Sequence, residues 1–510
     1  MNFLKTKSLS LNAISNWGAF GINVLLSFIL TPILITKLGD ENYGIWALIG
    51  SIIGMYGLLD LGLDSAILRY VSYYNGKNDK RSIDSVLTTS LIAYIFIGIL
   101  IFLFSLISLD FFVNFFNVAP KNINNFKYTI IFIGSSVAIT FPTNVFRTNL
   151  ISFEFYIYNN IIRIVTEVIR VTSIIFILNI GYGIREVALI TLLMAIVNFI
   201  IYFTISNVLN KVHLNISLYS PKILKKLLLF GFPALITILA HLLRVQVDSI
   251  VIAKWMDFSS VTLYNVSVKL TMFLTQFIMA ISAVLDPRFG SLLGMKDYTR
   301  IKKIFYESST IIATLTFSVG FSLLIFGKSL LNLWVGSSYM GSYIILCILA
   351  TGQMMACIQM PLISLLFALN NHRIVAVISI AEGIFNLTLS IILVHYFGII
   401  GVATGTLIPI MIRLPFMFIY IIKKCNYINI DSELIILIIK PISIISLISI
   451  IIIFFSSSII IDSWLILGLA FITMVIFFLL INYFTTIPKE HKDSLIAVYN
   501  NLIKKNNMEI

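Results

Sequence analysis

Runs of about twenty apolar residues recur along the whole chain, separated by charged or Gly/Pro/Asn-rich joints. Each run is long enough, as a helix, to cross a hydrocarbon core about 30 Å thick. A water-soluble fold could not hide them all. Of the 510 residues 59% are hydrophobic and only 11% charged, where soluble domains hold about a quarter charged. The expectation is therefore an all-α integral membrane protein, since helices satisfy their own backbone hydrogen bonds in lipid.

About fourteen spans are expected: residues 15–37, 43–62, 86–109, 128–147, 160–178, 186–207, 228–253, 262–285, 304–326, 341–369, 374–394, 399–421, 434–456 and 463–484. The first run is too long for a signal peptide and has no small-x-small cleavage site, so it reads as a retained span. Cys347, Cys357 and Cys425 form no CxxC and have no histidine at metal spacing, so they read as apolar filler and no metal is expected.

The net charge of +13 would point to nucleic acid in a soluble protein, but its distribution follows the spans. With the N-terminus inside, about 25 of the 35 basic residues fall on the cytoplasmic side. They include Lys77, Lys80, Arg81, Lys222, Lys225, Lys226, Arg300, Lys302 and Lys303. About six, Lys37, Lys121, Lys127, Arg185, Lys254 and Lys328, fall outside. This contrast supports an even number of spans with both termini cytoplasmic, and it excludes nucleic acid as a partner. The outer loops are short, the longest running from Asp110 to Lys127, which leaves no outer domain for catalysis.

The chain also repeats itself. Ile35-Thr-Lys-Leu-Gly-Asp40 with Tyr43 is echoed by Ile252-Ala-Lys-Trp-Met-Asp257 with Tyr264. Leu59-Asp60 leads to Gly76-Lys-Asn-Asp-Lys-Arg-Ser-Ile83, as Leu285-Asp286 leads to Gly294-Met-Lys-Asp-Tyr-Thr-Arg-Ile301. Six expected spans separate the copies, so the two halves point the same way. The expected domains are a six-helix bundle at 1–210, a second at 211–425, and two extra helices with a cytoplasmic tail at 426–510. Two parallel-repeat bundles around a central cavity are a transporter's architecture.

The segment Leu30-Thr-Pro-Ile-Leu-Ile-Thr-Lys-Leu-Gly-Asp-Glu-Asn-Tyr-Gly-Ile-Trp-Ala-Leu48, with Leu58-Leu-Asp-Leu-Gly-Leu-Asp-Ser-Ala-Ile-Leu-Arg-Tyr-Val-Ser72, resembles the start of bacterial polysaccharide transporters. These belong to the multidrug/oligosaccharidyl-lipid/polysaccharide exporter superfamily. The resemblance implies a multi-pass protein of the bacterial inner membrane that flips an undecaprenyl-pyrophosphate-linked oligosaccharide, such as an O-antigen or capsule repeat unit, from the cytoplasmic to the periplasmic leaflet. It also implies work alongside the polysaccharide polymerase machinery. Within the motif, Gly39 and Gly44 read as flanking a tight outer turn, and Asp60, Asp64 and Arg69 place charge at the inner end of the second span.

Charges inside spans are the main site candidates, because each costs about 2.5–3.5 kcal/mol at a helix centre. Arg163, Glu167 and Arg170 share one stripe, and His241, Arg244 and Asp248 another. Lys269, Glu382 with Asn386, and Arg413 between Pro409 and Pro415 complete the set. Guanidinium forks bind phosphate bidentately, so Arg170, Arg244, Lys269, Arg413, Arg163 and Arg69 are expected to bind pyrophosphate. Glu167, Asp248 and Glu382 are candidates for H⁺ or Na⁺ coupling, with no other cofactor. The plainer reading is internal pairing of Arg244 with Asp248, and of Arg170 or Arg163 with Glu167. For His241, packing is the plainer role.

Rival functions are a lipid II flippase or a multidrug antiporter of the same superfamily, and a membrane polymerase or glycosyltransferase. The antiporter should have an acidic or apolar cavity and twelve spans, and the enzymes a catalytic outer loop. No Walker A, GxGxxG or HExxH motif is present.

Overall fold

In the computed structural model, residues 9–210, 212–424, 440, 442–450, 452 and 460–485 are described. Within them every regular element is a helix. In chain order these are α1 (Leu9–Gly54), α2 (Leu63–Gly76), α3 (Lys80–Ile107), α4 (Leu109–Phe115), α5 (Ile123–Ser152), α6 (Tyr156–Asn179), α7 (Ile184–Asn210) and α8 (Pro221–Val245). Then follow α9 (Val247–Trp255), α10 (Phe258–Ser282), α11 (Leu285–Gly294), α12 (Tyr298–Trp334), α13 (Ser342–Cys357), α14 (Met360–Ala368), α15 (His372–Lys424) and α16 (Trp464–Thr485). Nine helical stretches among the described residues are long and apolar enough to cross a membrane. The protein is thus a multi-pass membrane protein. The expected span at 434–456 lies largely outside the described residues.

Two of those stretches are too long for one crossing. Helix α1 has 46 residues and α15 has 53, about 70 and 80 Å of helix. Each contains one glycine with non-helical dihedrals, Gly39 (φ 76°, ψ 166°) and Gly398 (φ 57°, ψ −134°). These breaks fall between the expected spans 15–37 and 43–62, and between 374–394 and 399–421. A single residue does the work expected of a loop, and glycine alone enters such backbone without strain. Gly44 has a different role from the one expected. It sits inside the helix, and a Cβ there would overlap the Phe258 carbonyl, so it is small to let α10 approach.

The chain divides into two compact units, residues 1–265 with 394–402, and residues 266–393 with 403–510. In the first, α5 packs between α3 and α7, and a Cβ on Gly98 would lie 2.5 Å from the Ala138 carbonyl, the small-residue contact typical of membrane helices. One end is tied by polar contacts among connections: Lys121 to Glu41 at 2.7 Å, Asn122 to Glu41 at 2.6 Å, and Lys254 to the Phe115 carbonyl at 2.7 Å. The opposite end is tied by Ser85 to the Leu218 carbonyl at 2.6 Å and by the Ser220 amide to Thr89 at 3.2 Å. In the second unit, Phe289, Leu292, Phe305, Leu362, Leu365 and Met417 form a core linking α11, α12, α14 and α15.

The sequence repeat has a structural counterpart. Helices α2 and α11 both end on a glycine, and the following Asn78 and Lys296 both adopt positive φ, 55° and 56°. Asp79 and Asp297 then cap α3 and α12, accepting from the amides of Ser82 and Arg300 at 3.1 and 3.0 Å.

Candidate functional site

Helix α2 is short and amphipathic, with Leu63, Ala66, Ile67 and Val71 buried. It starts at Gly62 (φ 73°), where a Cβ would collide with the backbone of Gly231 on α8. Paired glycines bring these backbones into contact. Around this crossing the acids find partners. The Tyr94 hydroxyl donates to Asp60 at 2.5 Å, the Arg147 guanidinium pairs with Asp64 at 2.9 Å, and Thr148 donates to the same carboxylate. Arg69 faces outward from α2 and lies over the Phe230 ring, its Cζ 4.4 Å from the centroid, and 5.9 Å from that of Tyr70. No carboxylate among the described residues pairs with it.

On α6 the expected stripe is present, and the pairing reading describes it. Arg170 closes a fork on Glu167, Nε to Oε2 at 2.9 Å and Nη2 to Oε1 at 2.5 Å. The i,i+3 spacing permits this fork and a bidentate pair neutralises both charges locally. Arg163 is exposed on the same helix.

The side chains of His241 and Arg244 lie outside the described residues. Asp248, near the start of α9, is 3% exposed and accepts from the Tyr264 hydroxyl at 2.5 Å. Lys269 sits half-buried on α10.

In the second unit, Glu382 and Arg413 meet. They come from the two limbs of α15, separated by the Gly398 break, and their side chains approach to 2.7 Å with only 2% and 4% exposed. Gly405 allows the limbs to touch, since a Cβ there would lie 2.6 Å from Ser390 Oγ. The pair forms part of the wall of a cavity of about 610 Å³ whose other lining is mostly apolar, with Ile374, Val377, Phe385, Pro409 and Phe416, together with Tyr420 and Lys423. Two candidates that the sequence assigned to different tasks, phosphate binding and ion coupling, thus hold one another.

Tyr94, Tyr264 and the pair Tyr202–Asn159, joined at 3.0 Å, were missing from the sequence-based set. A tyrosine within an apolar run resembles packing, and its partner lies 16 to 43 residues away, beyond any local pattern.

The comparisons agree with this architecture. Over 404 residues the chain is 22% identical to a Shigella flexneri protein named "Putative O-antigen transporter", covering 78% of this chain and 94% of that one. Among solved structures, lipid II flippase MurJ in an inward closed conformation aligns with a TM-score of 0.73 at 15% identity, covering 93% of this chain and 98% of that one. An inward-facing multidrug resistance MATE transporter of the MOP superfamily aligns at 0.70 and 18% identity, covering 79% and 96%. At such identities the likeness establishes a MATE/MurJ-like fold. The model for the polysaccharide biosynthesis protein family matches residues 9–293, more than half of the sequence, and the chain belongs to that family.

Proposed function

We propose that the protein is a flippase that carries an undecaprenyl-pyrophosphate-linked oligosaccharide from the cytoplasmic to the periplasmic leaflet by alternating access. The observation that carries this reading is the reach of the fold likeness. The flippase-type structure covers 93% of the chain and the multidrug-type structure 79%. The excess favours a lipid-linked cargo over a small organic cation, as does the family match. In this reading both termini are cytoplasmic, the loop around Asn78 faces the cytoplasm and the Gly39 turn faces outward, in line with the basic residues of the loops. The twelve-plus-two division of spans and cooperation with a polymerase belong to the same proposal.

Ion coupling is assigned to embedded acids. Protonating Glu167 or Glu382 would release a guanidinium, from Arg170 or Arg413, that could then take up phosphate. Asp248 with Tyr264 is the third candidate. Lys269 and Arg244 are assigned to the cargo's diphosphate.

Deleting the gene is expected to leave the lipid-linked oligosaccharide in the cytoplasmic leaflet and the cell surface bare of the polysaccharide, with the plasmid-borne gene restoring both. Drug sensitivity should stay unchanged. A deletion that leaves surface polysaccharide intact and sensitises cells to organic cations would favour the antiporter.

A further inference from the structure

Among the described residues, three arginines near the spans have a carboxylate of their own. Arg147 pairs with Asp64, Arg170 with Glu167, and Arg413 with Glu382. Arg69 is different: it is exposed, has no carboxylate partner among the described residues, and is held by aromatic rings instead. Those rings continue. Phe230 meets Tyr70 edge-on at 6.1 Å, Tyr70 stacks on Tyr74 at 6.5 Å and 27°, and Tyr74 meets Tyr73 edge-on at 5.3 Å. At the far end Lys77 Nζ lies 4.6 Å from the Tyr73 ring centroid. The Tyr73 hydroxyl beside it holds the Lys77 pKa above its ordinary value.

The result is one surface on α2: a guanidinium at one end, tyrosine rings along it, and an ammonium at the other. Helical spacing sets Arg69 and Lys77 about 12 Å apart along the axis. Tyr73 is 53% exposed although its neighbours on the buried face are packed. Cation–π contact pre-orients the guanidinium without neutralising it, which keeps its fork available to phosphate oxygens. Exposed aromatic faces beside such a fork suit the apolar face of a sugar ring.

We propose that Arg69, Tyr70, Tyr73, Tyr74 and Lys77 form a headgroup platform that binds a sugar diphosphate at the end of α2. Arg69 takes the diphosphate, the exposed Tyr73 ring takes the first sugar, and Lys77 donates to sugar hydroxyls. The assignment rests on the flippase reading and names where its cargo is first recognised. A shared alternative chemistry is the phosphate of anionic phospholipid, for which the same residues would serve as an interface anchor.

The test uses the full-length protein in nanodiscs of neutral lipid, titrated with two probes: a short-chain polyprenyl diphosphate bearing one N-acetylhexosamine, and the same diphosphate without sugar. Arg69→Gln should weaken both about ten-fold. Tyr73→Leu should weaken only the sugar-bearing probe, about five-fold or more, and Tyr73→Phe should restore it. Thermal unfolding of each variant checks the fold, which the exposure of both side chains protects. If the wild-type protein binds both probes and the variants bind them equally well, the platform is wrong and the flippase reading stands. If Arg69→Gln alters only binding to vesicles of phosphatidylglycerol, the surface is a membrane anchor and the proposal falls. If the wild type binds neither probe, the flippase reading itself fails and takes the platform with it.

Discussion

The Glu382–Arg413 pair is where residue chemistry has the largest consequence. Burying two charges is tolerated only while they hold each other, and removing one partner of a buried pair costs about 3–5 kcal/mol. Arg413→Ala should therefore lower the thermal stability of the detergent-solubilised protein sharply, while a Glu382→Leu/Arg413→Leu double variant should recover most of the loss. Unequal recovery would mean that the pair is held by more than its mutual attraction. Asp79 offers a milder test. The hydroxyl and amide of Ser82 hold its carboxyl below the ordinary value of 3.8. Its capping contribution is thus fully present above that value and lost as pH falls through the lower, folded-state one. The difference in unfolding temperature between wild type and Asp79→Ala should be larger at pH 7 than in strong acid.

Among elements, glycines decide where helices bend and where they touch. Gly44→Ala places a methyl group on the Phe258 carbonyl and should cost about 1–3 kcal/mol through overpacking. Gly39→Ala has open space around it and should cost about 1–2 kcal/mol through its left-handed backbone alone. Comparing the melting of the two variants separates crowding from strain. Sequence reading located the spans on both sides of Gly39 and Gly398 because hydropathy is local. It could not tell a loop from a one-residue break, since that depends on dihedral angles. It placed Gly44 at a turn because Phe258, its contact, lies more than two hundred residues away. One part of the repeat was legible: Gly76/Gly294 and Asp79/Asp297 are small sequence matches that reflect one turn-and-cap geometry. The candidate site residues stand out as charges in apolar runs, but their pairing was readable only within one helix, as for Glu167 and Arg170. Glu382 and Arg413 are 31 residues apart and meet only because α15 folds back at Gly398.

At the scale of the molecule, the chain is a multi-pass membrane protein of the polysaccharide biosynthesis protein family with a MATE/MurJ-like fold, and among the described residues Arg170 and Arg413 are each paired with a carboxylate. In the proposed mechanism, opening these ion pairs would release positive charge and so tie uptake of an anionic headgroup to protonation of the paired acids. Transport of a diphosphate-linked cargo should accordingly respond to a proton or sodium gradient, and Glu382→Gln should reduce that response. The most direct measurement reconstitutes the purified protein in proteoliposomes with a fluorescent polyprenyl-diphosphate oligosaccharide in both leaflets and follows quenching by a membrane-impermeant reductant. The initially protected fraction is expected to become reducible in protein-containing vesicles, faster with an imposed gradient, and to stay protected in empty ones. Protection that persists in the presence of folded protein, with or without a gradient, would contradict the flippase reading.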